Sequence, residues 1–248
     1  LCYVDWGRPD GNAFCPREGG ARMDEGAIEA AKRRAGEAAA EAVSDGDVVG
    51  LGTGSTAAFA IRELGRRVDA GLAITGVPTS HQAAALAREV GIPVATLADG
   101  TPDVAIDGAD QVADGALLKG GGAAHAREKV VASAAERFLV VVDERKLADH
   151  LDEPVPLEAL EGAVPAVSAS VADLGGEATL RRAERKDGPV ITDNGNPVLD
   201  ADFGTIEAPA ELSAHLDAVP GLVAHGLFVD LAEAVLVGTE TGVDRRER

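Results

Sequence analysis

Asp47-Val48-Val49-Gly50-Leu51-Gly52-Thr53-Gly54-Ser55-Thr56 carries a short apolar run into a glycine-rich turn, and the helical pattern Thr56 to Val68 follows at once. A strand that enters a helix through glycines is the opening of a β-α-β unit, and the alternation continues on both sides of it. A helical stretch from Asp24 to Val43 precedes the quoted run. After it come the strand Ala73 to Val77, a helix from Ser80 to Val90, the strand Pro93 to Leu97, and Val104-Ala105-Ile106 ending on Asp107. A helix from about Ala124 to Glu136 leads into Phe138-Leu139-Val140-Val141-Val142, an unbroken apolar run that predicts a strand covered on both faces. Such alternation implies a parallel sheet with right-handed crossovers, so the fold class is α/β.

Past Lys146 the texture changes. Glu153-Pro154-Val155-Pro156 reads as a linker, followed by a helix near Val167 to Leu174 and a strand at Ala178 to Ala183. Val190 to Leu199 contains Asn194-Gly195 between apolar residues, the strongest short-range hairpin signal. A helix from Ala210 to Val219 and a strand from Leu222 to Val229 complete a second, smaller α+β domain over residues 154–231. The run Ala234 to Gly238 is assigned back to the first sheet, so the first domain comprises residues 23–153 and 232–248. Residues 1–22 hold both cysteines, the only Trp and the only Tyr, and lack periodicity. The expectation is an extension, disordered or not native, with Met23 as the true start.

Composition narrows the partners. With 42 Asp+Glu against 23 Lys+Arg the chain carries a formal charge of -19, which argues against nucleic acid and anionic membranes as partners. The 46% hydrophobic fraction is enough for a packed core although only 3% of residues are aromatic. No run approaches the ~20 apolar residues of a membrane helix, and a cytoplasmic location is expected. Just five of the 23 basic residues are lysines (Lys32, Lys119, Lys129, Lys146 and Lys186). A Lys-poor, acid-rich surface fits a salt-loving organism, where ~1 M salt shortens the Debye length to about 3 Å and quenches self-repulsion. The histidines at 81, 125, 150, 215 and 225 lack ligand spacing, so no metal site is expected.

Three loops could carry chemistry. Thr53-Gly54-Ser55-Thr56 opens a helix, where free N–H groups and the dipole favour an anion such as a phosphate; a plain capped turn is the simpler alternative. The match of Gly52, Gly54 and Ala57 to a dinucleotide fingerprint lacks its acidic partner, because the next strand ends in Pro78-Thr79-Ser80. Asp107-Gly108-Ala109-Asp110 sets two carboxylates at a strand's carboxyl end, where they could divide acid and base roles or form an ordinary Asp turn. Lys119-Gly120-Gly121-Gly122 can bring an ammonium and several N–H groups to one oxygen, or be a flexible connection. Glu128, within Arg127-Glu128-Lys129, sits on a helix where most glutamates face solvent. Asp143-Glu144-Arg145-Lys146 adds a lysine at the same sheet edge.

Taken together and in order, GLGTGST, IDGADQV, LLKGGGAA, REKVVAS, DERK and TDNGNPVLD resemble ribose-5-phosphate isomerase of the A type, over essentially all of residues 24 to 243. The resemblance implies a Rossmann-like parallel sheet domain beside the small α+β domain, and interconversion of ribose 5-phosphate and ribulose 5-phosphate through an enediolate without metal or organic cofactor. It implies Glu128 as the proton-abstracting base, with Asp107, Asp110 and Lys119 catalytic. Lys32, Thr53, Gly54, Ser55, Thr56, Gly108, Ala109, Gly120, Gly121, Gly122 and Lys146 would join Asp107, Asp110 and Lys119 in holding the sugar phosphate. It also implies a homodimer or homotetramer. Gln111, where the family pattern has an acidic residue, is a departure. A sugar-phosphate sensor and a CoA-transferase-like enzyme share this broad architecture, but a sensor has no need of Glu128 and no second transferase half is present.

Overall fold

The computed structural model describes residues 24–247, so the expectation for residues 1–22 lies outside the described residues. The chain opens with α1 (Glu25–Glu41), β1 (Val48–Leu51), α2 (Ser55–Asp69), β2 (Thr75–Pro78) and α3 (His81–Glu89). Next come β3 (Val104–Asp107), the hairpin β4 (Gln111–Ala113) and β5 (Ala116–Leu118), α4 (His125–Ala134) and β6 (Arg137–Asp143). The chain continues through β7 (Val155–Ala159), α5 (Val164–Asp173), β8 (Glu177–Leu180) and β9 (Val198–Asp202). It ends with α6 (Pro209–Asp217), β10 (Leu222–His225), β11 (Leu227–Val229), β12 (Ala234–Gly238) and β13 (Val243–Glu247).

The main sheet has the order β13-β12-β6-β3-β1-β2. All its pairings are parallel except β12 with the edge strand β13. Burial along β6 explains why its sequence is apolar throughout. Leu139 and Val141 pack with Ala35, Ala60 and Leu64 of α1 and α2, whereas Phe138, Val140 and Val142 pack with Val131 and Ala132 of α4. Each face of the sheet therefore has its own helical cover. The small alanines on α1 let that helix lie close to the sheet, so four of them are fully buried with few rings in the core.

A second, antiparallel sheet of order β10-β7-β9-β8 packs its own core under α5 and α6, and a three-stranded sheet joins β11 to the β4–β5 hairpin. Here the sequence reading needs correction. Val155 and Pro156, read as linker, begin β7, an interior strand buried along its whole length. Prolines speak against such a strand because they cannot donate to a ladder. The β10 ladder reaches only to Leu157, however, and Gly226 N donates to the Pro156 carbonyl at 2.7 Å, so Pro156 contributes as an acceptor. The single strand expected over Leu222 to Val229 is two strands in different sheets, broken at Gly226, where an added Cβ would collide with the Lys119 carbonyl. Pro93 to Leu97 makes one bridge, Gly76 to Val94, and no ladder. Val190 to Leu199 is not a regular hairpin either: one bridge, Ile191 to Pro197, flanks the turn, and Val198 continues into β9.

Candidate active site

Strand order reverses at β1, with β2 on one side and β3 on the other, and the loops leaving the carboxyl ends of β1 and β3 open a crevice there. Gly52 crosses it so closely that a Cβ would collide with the Asp107 carboxylate. Gly52 N donates to Ile106 O at 2.9 Å and Thr53 N to Asp107 Oδ1 at 3.0 Å. Gly54, at φ +113°, turns the chain into α2 and has no side chain to cap it, which leaves first-turn amides available as donors. Lys32 reaches from α1 to this turn, its Nζ donating to Ser55 Oγ at 3.0 Å. Thr56 is buried in the first turn of α2.

Opposite this turn, the β4–β5 hairpin presents Asp110 and Lys119 from its two ends, closed by Asp110 N donating to Leu118 O at 2.7 Å. Lys119 N in turn donates to Gly226 O at 2.8 Å, which ties the lysine to the start of β11. Gly120, at φ +108°, bends the chain away, and Gly121 N donates to Asp110 Oδ2 at 2.8 Å. Gly122 comes back beside Thr53, so the two glycine-rich loops face each other across the crevice.

At the centre Lys119 Nζ lies 3.1 Å from Asp107 Oδ2, 3.0 Å from Glu128 Oε2, and donates to Gly108 O at 2.5 Å. The three side chains are at most 5% exposed. Phe228 closes the floor with its ring centroid 5.5 Å from the ammonium. One positive charge therefore serves two carboxylates in a dry pocket, and hydrogen bonding decides how it is shared. Asp107 also accepts N–H bonds from Thr53 and Gly108. Glu128 Oε2 has only the Lys119 ammonium, at 3.0 Å, and no backbone donor like those that serve Asp107. Burial, with the Asp107 charge adding to it, pushes the Glu128 carboxyl up to about 8 against the pull of Lys119. Burial also raises Asp107, opposed by Lys119. For Lys119 burial acts downward, but the charges of Asp107 and Glu128 outweigh it and hold the ammonium above its usual range.

The residues singled out in the sequence thus fall into tiers of contact. Asp107, Lys119 and Glu128 touch. Thr53 and Gly108 are one hydrogen bond from Asp107, Asp110 and Gly121 bond each other beside the trio, and Lys32 bonds Ser55 in the Thr53 turn. Lys146, in the 3-10 turn Glu144–Lys146, has no direct contact with the trio. It is linked through Glu153, whose carboxyl is raised by burial, lowered by Lys146 and raised again by Asp110. Gln111, the departure from the family pattern, braces the loop ahead of β7, where its Oε1 accepts from Asp152 N and Glu153 N and its Nε2 donates to Asp152 Oδ1. Several participants went unrecognised in the sequence. Thr79 Oγ1 and Ser80 Oγ lie 2.9 and 2.7 Å from Thr53 Oγ1, and Arg181 donates to the Gly120 carbonyl at 2.9 Å. The position of Thr79-Ser80 at the carboxyl end of a parallel strand was the available signal; for Arg181 and Phe228 there was none.

The family described as ribose 5-phosphate isomerase A (phosphoriboisomerase A) matches residues 75–242. A ribose-5-phosphate isomerase A of Natronomonas pharaonis is 66% identical over 221 residues, covering 89% of this chain and 98% of the relative. The ribose 5-phosphate isomerase A structure from Methanocaldococcus jannaschii superposes with a TM-score of 0.85 at 43% identity, covering 88% of this chain and 98% of that one. A D-ribose-5-phosphate isomerase solved in complex with phospho-erythronic acid gives 0.86 at 44% identity, covering 89% and 99%. With fold, motif order and near-complete coverage in agreement, the chain belongs to the ribose 5-phosphate isomerase A family.

Proposed function

We propose that this protein interconverts D-ribose 5-phosphate and D-ribulose 5-phosphate with Glu128 as the shuttling base. The observation that carries the assignment is the buried contact of Glu128 with Lys119 between two glycine-rich loops. In the open-chain aldose, Glu128 removes the proton on C2 and the electron pair moves toward the C1 carbonyl, forming an enediolate. The same carboxyl returns the proton to C1, while the hydroxyl proton passes from O2 to O1. A carboxyl poised near neutrality suits both halves of this exchange, since it neither holds the proton too tightly nor refuses it.

Lys119 and the N–H groups of Gly120 to Gly122 stabilise charge on the oxygens, an interaction whose loss typically costs about 3 kcal/mol. Asp107 holds Lys119 in place, and Asp110 handles hydroxyl protons, including those of ring opening. The phosphate binds the first turn of α2 with Lys32, Ser55 and Thr56, while Thr53 shapes that turn and Gly108 and Ala109 line the opposite wall. Lys146 adds positive charge at the rim. Remote phosphate contacts of this kind keep C1 and C2 in register with the base.

Residues 154–231 form the covering unit in this reading, the assembly is a homodimer or homotetramer, and the enzyme works in the cytoplasm. The charge of -19 is tolerated because salt screens it, a reading supported by similar relatives from halophiles. The test is ketopentose formation from ribose 5-phosphate in concentrated salt. Wild-type kcat/KM should rise with pH through about 8 as Glu128 loses its proton, and Glu128→Gln should lower kcat by about 10²- to 10⁴-fold. A Glu128→Gln enzyme that keeps full activity refutes the base assignment.

A further inference from the structure

The segment Thr192-Asp193-Asn194-Gly195-Asn196 carries no role in the reaction described above, yet its side chains and backbone are bonded on two sides. On its inner side three neutral side chains converge on one carboxylate of β7. Thr192 Oγ1 donates to Glu158 Oε1 at 3.1 Å, Asn196 Nδ2 at 2.7 Å, and Asn194 Nδ2 donates to both oxygens at 3.0 and 3.2 Å. Glu158 is fully buried. On its outer side the same turn grips two helices. Arg127 of α4 donates through Nε to Asn194 Oδ1 at 2.7 Å and through Nη2 to Asp193 O at 2.8 Å. The first amide of α3, His81 N, donates to Asp193 Oδ2 at 2.7 Å.

The Asn194 amide is a one-way link. Glu158 can only accept and Arg127 can only donate, so the oxygen must face Arg127 and the nitrogen Glu158. What it grips lies next to the chemistry on both sides. Arg127 is the residue before Glu128 on the first turn of α4. His81 follows Ser80, whose Oγ accepts from Thr53 Oγ1 in the β1–α2 turn. One turn of the antiparallel sheet is therefore bonded to the helix that carries the proton-shuttling carboxyl and to the helix that braces the glycine-rich turn. An ordinary hairpin tip requires none of these bonds.

We propose that residues 192–196 act as a clasp, with Asn194 and Asp193 as positioning residues that set the distance between the Thr53 turn and Glu128. The inference rests on the isomerase reading for its consequence, because the spacing between phosphate site and base decides whether the bound sugar presents its C2 proton. Errors of about 1 Å at such a site can cost on the order of 100-fold in rate. Substrate binding itself uses the loops, and those remain anchored by the β1–β3 contacts.

The experiment compares Asn194→Ala, Arg127→Ala and the double variant with wild type, and uses Arg137→Ala, which removes an ion pair to Glu233 elsewhere on the surface, as a control. The clasp predicts kcat lower by about 10- to 100-fold in Asn194→Ala and Arg127→Ala with KM within about threefold of wild type, a double variant no worse than the poorer single, and an unaffected control. Amide exchange is read in parallel and needs no turnover: His81 N and the first turn of α4 should exchange faster in both single variants. If Asn194→Ala does not fold, Arg127→Ala, whose side chain is 38% exposed, decides alone. Unchanged kcat in folded variants, or unchanged exchange at His81 and α4, overturns the clasp. Faster exchange in a protein whose wild type forms no ketopentose would instead refute the isomerase reading and leave the clasp standing as a structural tie.

Discussion

Glu128 on α4 and Glu158 on β7 are the two buried glutamates among the described residues, and their surroundings differ in kind. Glu158 is surrounded by neutral donors from Thr192, Asn194 and Asn196, which occupy both of its oxygens with hydrogen bonds. Glu128 is given one ammonium shared with Asp107, a second carboxylate nearby and no neutral donor to Oε2. The first arrangement holds a turn in place. The second stores an unfavourable charge where a substrate proton can relieve it. Burial alone therefore does not separate a structural carboxyl from a chemical one; the count and kind of donors does.

Removing Lys119 tests this contrast most severely. Lys119→Met leaves Asp107 and Glu128 facing each other without a cation, and breaking a buried pair typically costs about 3–5 kcal/mol of stability. Turnover should drop by about 10²- to 10³-fold, from loss of oxyanion stabilisation. In the residual activity the rise with pH should move upward, because the carboxylates then lose the charge that favours their ionised forms. An unshifted pH profile would mean that Lys119 does not set the state of Glu128.

The two glutamates should also respond oppositely to conversion into glutamine. Glu158→Gln replaces an acceptor with a donor among donors, and unfolding in denaturant should show a loss of about 2 kcal/mol. Glu128→Gln should stabilise instead, by an amount that is absent below about pH 4.5, grows as pH rises and is largest above about pH 8. Its folded carboxyl titrates at about 8, above the usual 4.5, so the folded state retains a proton that the unfolded chain loses between those values. That proton-linked stability is complete below the lower value and is lost as pH rises through about 8, and glutamine never loses it. Equal effects of the two substitutions at alkaline pH would erase the distinction. The smallest effect is expected at the rim, where Lys146→Met should weaken substrate binding by about tenfold, the scale of a partly screened charge contact, while Lys186→Met leaves it unchanged.

Much of the site was legible before any coordinates. Gly52 and Gly54 are demanded by a close strand crossing and a positive-φ entry into a helix, and such local demands leave a local trace. The same holds for β6, whose run from Phe138 to Val142 states that both faces are covered. Errors cluster where the determining partner is distant in the chain. Residues 155–156 look like a linker until β9, far along the chain, supplies the register Val155 with Ala201 and Pro156 with Asp200. Asn194-Gly195 looks like a hairpin tip until Glu158 and Arg127 claim the Asn side chain.

Sequence by itself determined the class of fold, the order of the loops around the crevice and the identity of the acids and lysines brought there. These depend on side-chain period and on backbone freedom at glycine, which are properties of neighbouring residues. Only the tertiary structure decided which carboxyl is starved of donors and which is saturated, because desolvation and charge sharing are set by groups from separate stretches of the chain meeting in one dry volume.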